Sequence, residues 1–205
     1  MVRHVLLDAD DVTIRMLAGS VTIPTTSIKG FTESADLARL LTPDWTPDPP
    51  EVLMATTLHP TAVRISSGYR IAVEHAPDIA YARAMTADGL IAARGQVAVT
   101  GETCVFDQIA TAPEHRRRGL GSAVMATLTT AAMDLGAATG ILGATAQGRA
   151  LYEALGWAVA EPLSSFVYKR ADASRPELGP GQNKWQYQVR KGRQANSDGK
   201  PETRV

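Results

Sequence analysis

The sequence is poor in cysteine, in aromatic side chains and in net charge. Its 205 residues include one cysteine, Cys104, and aromatic residues make up 5% of the chain. A single cysteine excludes an intrachain disulfide, which favours a reducing compartment. The 21 Lys and Arg residues balance the 21 Asp and Glu residues. The overall charge therefore gives no reason to expect nucleic acid or an anionic membrane as a partner.

Long apolar runs are missing as well. No apolar stretch of the sequence is long enough to cross a bilayer. The first residues do not form a basic segment followed by a sustained apolar one. We therefore expect a cytoplasmic protein with no membrane partner. The spacing of His, Cys, Asp and Glu residues does not match that of metal ligands, so no metal site is predicted.

Residues 1–67 have the least regular pattern of the chain. Residues 12–17 predict a strand, and residues 32–41 predict a short helix. Four prolines around Trp45 exclude regular helix over residues 43–50, and this segment either shapes an acceptor pocket or covers the core. We expect the N-terminal part to pack on a core formed by residues 68–170 and to shape the acceptor side.

Short alternating strands are predicted from residue 69 onward, at 69–73, 79–85, 90–100 and 103–111, and tight turns join the last three into an antiparallel meander. Apolar residues recur every three to four positions over 120–135, which predicts a helix that ends at Gly136. A buried strand over 139–145 and a helix over 148–155 follow. Residues 157–160 and 166–169 predict a closing hairpin, which completes a mixed α/β fold.

Residues 171–205 differ in composition from the rest of the chain. From Arg170 onward there are eight Lys or Arg residues against four Asp or Glu residues, and apolar periodicity is absent apart from a cluster at Trp185. Such a segment buries too little apolar surface to offset its ordering entropy, so we predict a basic, disordered tail. The alternative is a tail that docks on a partner or on RNA.

The most informative segment is residues 113–122, Pro-Glu-His-Arg-Arg-Arg-Gly-Leu-Gly-Ser, which links a predicted strand to a predicted helix. Its two glycines remove side chains where the chain enters that helix. Backbone N–H groups at a helix N-terminus favour an anion, and three arginines beside them add positive charge. The segment therefore predicts a site for a diphosphate.

The spacing Arg116-x-x-Gly119-x-Gly121 resembles the signature loop of the GCN5-related N-acetyltransferase (GNAT) superfamily, which binds the pyrophosphate of acetyl-CoA. A second segment, residues 143–157, ends in Leu151-Tyr152-x-x-Leu155-Gly156-Trp157 and is similar to the superfamily's second conserved helix and closing strand. The resemblance covers about residues 68–170. It implies a central, mixed and mostly antiparallel sheet, flanked by helices and splayed at an acyl-CoA cleft.

The resemblance also implies which residues hold acetyl-CoA. The strand before the loop would pair with the pantetheine arm, and a main-chain N–H near Ile109 would face the thioester oxygen. The predicted cofactor-binding residues are Ile109, Ala110, Thr111, Arg116, Arg117, Arg118, Gly119, Leu120, Gly121, Ser122 and Gln147. Arg117 and Arg118 could instead form a solvated patch, and Arg149 could reach a phosphate or simply solvate its helix.

Two residues are predicted to be catalytic. Tyr152 matches the superfamily's tyrosine that donates to the departing thiolate; alternatively, it packs against Trp157. Asp107 could accept the proton of the amine, or it could be a structural hydrogen-bonding residue; Glu74, His75 and His59 are weaker choices. Strict alternation would place Phe106, Gln108 and Ala110 on one sheet face and Asp107, Ile109 and Thr111 on the other.

These patterns predict an acetyl-CoA-dependent N-acetyltransferase acting on a small-molecule or peptide amine. We expect direct attack by the amine in a ternary complex, and a monomer or homodimer. Cys104 has no basic neighbour in sequence and is interpreted as a core residue. A non-catalytic acyl-CoA-binding or sensing domain is one alternative, and an interaction protein that uses its basic tail on nucleic acid is another.

Overall fold

A ten-stranded sheet organises the part of the chain that the computed structural model describes, residues 2–8 and 10–169. The strands are β1 (Arg3–Leu6), β2 (Ser27–Gly30), β3 (Trp45–Pro47), β4 (Glu51–Thr57), β5 (Tyr69–Ala76), β6 (Ile79–Thr86), β7 (Ile91–Thr100), β8 (Thr103–Thr111), β9 (Thr139–Thr145) and β10 (Ala158–Tyr168). The helices are α1 (Asp11–Ser20), α2 (Ser34–Ala38), α3 (Leu120–Asp134) and α4 (Ala146–Ala154), with a short 3₁₀ turn at Pro113–His115. The predicted tail, residues 171–205, lies outside the described residues.

The strand order is β1-β2-β10-β4-β9-β8-β7-β6-β5, and β3 pairs with β10. Within the described residues, β1 pairs with β2 and β8 pairs with β9 in parallel, whereas the other neighbours are antiparallel. The sheet is therefore mixed and mostly antiparallel, and the predicted fold class is confirmed.

The predicted three-stranded meander corresponds to β6, β7 and β8, and β5 extends it by pairing with β6. Helix α3 then crosses over the sheet to reach β9, as a parallel connection requires. It packs on fully buried alanines of β6, Ala80, Ala82 and Ala84, whose small side chains let the helix approach the sheet. Gly136, with φ of 95°, donates to the Met133 carbonyl and ends the helix in the predicted place.

The strand predicted over residues 12–17 is wrong, because these residues lie in α1. The side chain of Asp10 accepts a hydrogen bond from the Thr13 backbone N–H at 2.7 Å and caps the helix. Ile14 and Ala18, four residues apart, are its buried side chains. The β-branched residues at 12–14 favoured a strand, but the cap and the four-residue spacing favour a helix.

The closing hairpin is also wrong, because residues 158–168 form the single strand β10. Its first half pairs with β4, and its second half pairs with β2 and β3. The partners therefore come from the N-terminal part of the chain and not from a local turn. A second core forms where this part meets the end of β10; it consists of Ile14, Ala18, Ile28, Leu37, Trp45, Phe166 and Tyr168.

Gly140 in β9 tests how tightly the main core is packed. A methyl group at this position would lie 2.9 Å from Leu58 Cδ2, 2.9 Å from Trp157 Cη2 and 3.0 Å from Phe106 Cε2. We expect Gly140→Ala to lower the free energy of unfolding by about 1–3 kcal/mol through overpacking. Urea denaturation measures this change.

Gly19→Ala is the matched control, because nothing lies within 4 Å of a methyl group placed there in α1. Its free energy of unfolding should be unchanged, or higher by up to about 1 kcal/mol, since alanine favours helix. Equal effects of the two substitutions would contradict the packing described around Gly140.

Candidate active site

The sheet opens between β8 and β9, which is the feature around which the candidate site is built. Their parallel pairing ends at Phe106 and Leu142, although β8 continues to Thr111 and β9 continues to Thr145. Both strands stay paired on their outer edges, β8 with β7 and β9 with β4. The two facing edges therefore carry backbone groups that an extended ligand could pair with.

A β-bulge in β8 lies at the start of this gap. Asp107 pairs with Gln96 and Ala110 pairs with Arg94, so Gln108 and Ile109 together oppose Gly95. Gln108 has φ of 55°, a left-handed conformation that fits the extra residue of the bulge. The bulge bends β8 away from a straight course at the level where its pairing with β9 ends.

The bulge also reverses the predicted assignment of faces. Ile109 lies on the side of α3, because a methyl group at Gly95 would be 2.4 Å from Ile109 Cδ1 and 3.0 Å from Leu128 Cδ1. Phe106 lies on the same side, in the core with Trp157. The predicted grouping of Asp107 with Ile109 is therefore wrong: one extra residue shifts the alternation, and Asp107 faces away from α3.

The loop after β8 leads into α3 with backbone N–H groups exposed at its end. Arg117 and Gly119 both have positive φ, 61° and 74°. The first hydrogen bond of the helix is donated by Ala123 to the Gly119 carbonyl at 3.0 Å, so the N–H groups of the three preceding residues have no partner within the helix. No acidic residue occupies the first turn. This end of α3 is suited to an anion.

The three arginines of the loop have different surroundings. Arg116 Nε donates to the Thr111 carbonyl at 3.3 Å, which ties the loop to the end of β8. Arg118 Nη1 donates to the Tyr69 hydroxyl at 2.9 Å. Arg117 is exposed and makes no polar side-chain contact within the part of the chain that the structure describes. Arg117 is therefore the guanidinium that a ligand could bind without breaking an existing contact.

Tyr69 at the start of β5 holds the loop from the side. Its hydroxyl lies 2.9 Å from His115 Nδ1, and the two rings meet edge to face with centroids 5.6 Å apart. Beside it, Ser66 Oγ donates to the Arg118 carbonyl at 2.7 Å. The sequence gives no local sign of this support, because Tyr69 and Ser66 are 46 to 52 residues away from their partners.

Tyr152 lies in α4 with its ring buried and its hydroxyl free. The side chain is 6% exposed and packs against Trp157, with ring centroids 6.2 Å apart. No hydrogen bond to its hydroxyl is present among residues 2–8 and 10–169. Burial, and secondarily the negative charge of Asp107, raises the pKa of Tyr152 to about 12. The phenol therefore stays protonated at neutral pH and can donate a hydrogen bond.

Asp107 lies close enough to Tyr152 for its charge to raise the pKa of the phenol, and the catalytic roles of the two residues stay predictions. Its carboxylate forms an ion pair with Arg3 of β1, with Nη1 and Oδ2 3.1 Å apart. Sequence reasoning missed Arg3, which is 104 residues away in the chain. Glu74 and His75 lie on β5, three strands from β8, and Glu74 pairs with Arg83.

Two polar residues, Gln147 and Arg149, lie near the start of α4. Gln147 is exposed in the first turn of the helix, where the Thr145 side chain accepts a hydrogen bond from the Gly148 N–H at 3.2 Å. Arg149 pairs with Glu153, with Nε and Oε1 2.6 Å apart. This contact occupies the guanidinium within its own helix. A role for Gln147 in cofactor binding stays a prediction.

Cys104 in β8 is fully buried, and burial raises the pKa of its thiol to about 11. A protonated, inaccessible thiol is a poor nucleophile, which agrees with its interpretation as a core residue. Within the described residues, no group of three or more His, Cys, Asp and Glu side chains could hold a metal ion. None of the helices there is long and apolar enough to span a membrane.

Comparison with known proteins agrees with this geometry. Residues 77–159 match the model of an acetyltransferase (GNAT) domain, and this range includes the bulge, the arginine loop and Tyr152. The match covers 83 of the 205 residues, so this part of the chain is similar to a GNAT domain. The matching residues include those that build the gap between β8 and β9, so the matched range contains the candidate site.

Solved structures share the fold at low identity. A GCN5-related N-acetyltransferase from Kribbella flavida matches with a TM-score of 0.57 and 16% identity over 78% of this chain and 76% of its own. A GCN5-related N-acetyltransferase from Sphaerobacter thermophilus matches with a TM-score of 0.53 and 15% identity, over 70% of this chain and 60% of its own. A tandem GNAT protein from the clavulanic acid biosynthesis pathway matches with a TM-score of 0.56 and 14% identity, over 75% of this chain and 66% of its own. This chain thus spans less than two thirds of the last two. No curated protein matches the sequence.

The support that Tyr69 gives to the arginine loop can be tested by Tyr69→Phe, which keeps the ring and removes both hydrogen bonds. We expect the free energy of unfolding to fall by about 0.5–1.5 kcal/mol. Amide exchange of residues 115–118 should become faster, because Arg118 and His115 lose their common partner. Chemical denaturation and hydrogen exchange measure the two effects.

Tyr81→Phe is the control, since the Tyr81 hydroxyl makes no hydrogen bond among the residues that the structure describes. It should change neither stability nor loop exchange. If Tyr69→Phe behaved in the same way, the network around Tyr69 would not be holding the loop.

Proposed function

We propose that this protein is an acetyl-CoA-dependent N-acetyltransferase that transfers the acetyl group to a primary amine by direct attack in a ternary complex. The observation that carries the proposal is the alignment of three features: the gap between β8 and β9, the free N–H groups at the start of α3, and the free hydroxyl of Tyr152. The GNAT domain match supports acetyl transfer as the chemistry.

The diphosphate of the donor would bind at the N-terminus of α3, between Arg116 and Ser122. The helix dipole and the free N–H groups favour an anion there, and Arg117 is available for a further phosphate. The pantetheine arm would run along the open edge of β8 at Ile109, Ala110 and Thr111. An extended chain can pair with such an edge as an added strand does.

The transfer forms a C–N bond and breaks the C–S bond of the thioester. A main-chain N–H near Ile109 would polarise the carbonyl, a contribution of about 3 kcal/mol for one well-placed donor. The amine must lose a proton, and Asp107 would accept it directly or through water. Because Asp107 pairs with Arg3, the incoming amine competes with that guanidinium for the carboxylate.

Tyr152 would stabilise the departing thiolate by a hydrogen bond. Full proton transfer is unfavourable: the pKa of Tyr152 is about 12. A thiol has a pKa of about 8.5, so the transfer would cost roughly 5 kcal/mol. A hydrogen bond from the phenol lowers the energy of the thiolate without this cost. The buried thiol of Cys104 gives no route through an acyl-enzyme, which favours direct attack.

We also infer a cytoplasmic location, a small-molecule or peptide amine as acceptor, and a monomer or homodimer. The single cysteine supports the reducing compartment. A domain that binds acyl-CoA without turning it over is the alternative function. Turnover of an amine with acetyl-CoA by the unmodified protein distinguishes the enzyme from such a domain.

Tyr152→Phe and Asp107→Asn test the assigned chemistry. With acetyl-CoA and a panel of amines, we expect either change to lower kcat by about 10- to 1000-fold, while the affinity for coenzyme A stays within about threefold. Because Tyr152 is protonated far above neutral pH, Tyr152→Phe should leave the shape of the pH profile unchanged between about pH 6 and pH 10. Thiol release and calorimetry provide the measurements.

Tyr81→Phe is the control for both variants. Unchanged turnover in Tyr152→Phe and Asp107→Asn would remove these residues from the mechanism. Coenzyme A binding without turnover by the unmodified protein, for every amine, would favour the sensing domain. No binding of coenzyme A would contradict the proposed function as a whole.

A further inference from the structure

Two ion pairs lie on the sheet face turned away from α3 and α4. Asp107 of β8 pairs with Arg3, and Glu51 of β4 pairs with Lys29 of β2. The second pair is largely buried, with side-chain exposures of 14% for Lys29 and 16% for Glu51. This buried ion pair lies next to the gap, where a bound acceptor could contact it.

Strand register places Glu51 at the mouth of the gap. Phe106 and Leu142 form the last pair of β8 and β9, so Asp107 and Gly143 follow them at one level. Glu51 Oε2 lies 3.3 Å from the position that a methyl group at Gly143 would occupy. The carboxylate of Glu51 therefore covers β9 at the level of Asp107, in space that a side chain at residue 143 would fill.

The two cations come from one face of the β1–β2 ribbon. Arg3 pairs with Ser27 and Val5 pairs with Lys29, so Arg3, Ser27 and Lys29 project to the same side. Ile28 projects to the other side and is buried in the N-terminal core. Ser27 is 2% exposed, and its hydroxyl has no hydrogen-bond partner among residues 2–8 and 10–169. Such a buried hydroxyl calls for a ligand or a water molecule.

Each of the two ion pairs is electrically neutral, since one cation faces one carboxylate in each. A simple amine entering as an ammonium ion would add one positive charge beside these neutral pairs, of which the Lys29–Glu51 pair is largely buried, and a diamine would add two. A molecule with both an ammonium and a carboxylate adds no net charge and can exchange partners with the existing pairs. Burying a charge costs less free energy when the charge is paired in this way.

We propose that the acceptor is a small zwitterion, an amine that also carries a carboxylate, as an amino acid does. Its nitrogen lies toward Asp107 and the gap, and its carboxylate binds the side chains of Lys29 and Ser27. This inference rests on the proposed function, because it names the acceptor for the same site. It makes Lys29 and Ser27 specificity-determining residues that sequence reasoning did not identify.

The test compares each of several amino acids with its own carboxamide, which keeps the amine and removes the negative charge. With acetyl-CoA as donor, kcat/KM measured by thiol release should be about tenfold or more higher for the carboxylate form. Binding of both forms in the presence of coenzyme A is measured in parallel by calorimetry.

The double substitution Lys29→Gln with Glu51→Gln removes both charges without leaving one unpaired. It should bring the carboxylate-to-carboxamide ratio close to one. A purely structural role would lower both rates together and leave the ratio unchanged. Arg83→Gln with Glu74→Gln, a more exposed pair on β5 and β6, is the matched control and should keep the ratio of the unmodified protein.

An unmodified protein that used or bound carboxamides as well as amino acids would overturn the inference, while turnover would still support the proposed function. A ratio unchanged in the Lys29 and Glu51 variant would overturn the assigned residues. If no acceptor were turned over, the proposed function would fail, and the binding measurements alone would still decide whether the carboxylate is recognised.

Discussion

The separation of β8 from β9 is the constraint on which the rest of the site depends. Parallel strands normally satisfy each other's backbone groups along their length, but here pairing stops after Phe106 and Leu142. The bulge at Gln108 bends β8, and Gly95 makes it possible because any side chain there would collide with Ile109. The open edges are stable only because β7 and β4 hold the two strands from outside.

The gap separates two different electrostatic environments. On one side, the start of α3 and the arginine loop present positive charge and free N–H groups, with no acidic residue in the first turn of the helix. On the opposite face, Arg3, Lys29, Asp107 and Glu51 present balanced charge. In the function that we propose, the anionic donor and the zwitterionic acceptor would approach the gap from different sides without competing for the same groups.

Much of this architecture could be predicted because its signals are local. The spacing of Arg116, Gly119 and Gly121 identified the loop, and the apolar period after Leu120 identified α3. Tyr152 and Asp107 could be named for the same reason, since each belongs to a short pattern on its own element. The charge of Asp107 contributes to the raised pKa of Tyr152, and the catalytic roles of both residues stay predictions.

The rest could not be predicted because it depends on contacts between distant segments. The first half of β10 pairs with β4, about 100 residues earlier in the chain. Because no local signal shows such a distant partner, the end of the sequence resembled a hairpin. The bulge places Ile109 on the face opposite to Asp107, and Gly95, which faces the bulge, does not by itself show that β8 carries the extra residue. Arg3 and Tyr69 reach the site only through the tertiary fold.

Backbone amide resonances with and without coenzyme A give the most direct test of the gap as the donor site. If the gap binds the pantetheine arm and α3 binds the diphosphate, the amides of residues 109–111 and 119–122 will shift and exchange more slowly when coenzyme A is added. The amides of residues 74–81, at the end of β5 and β6 opposite to Tyr69, will not. Binding that protects another surface, and leaves these two segments unchanged, would contradict the assignment.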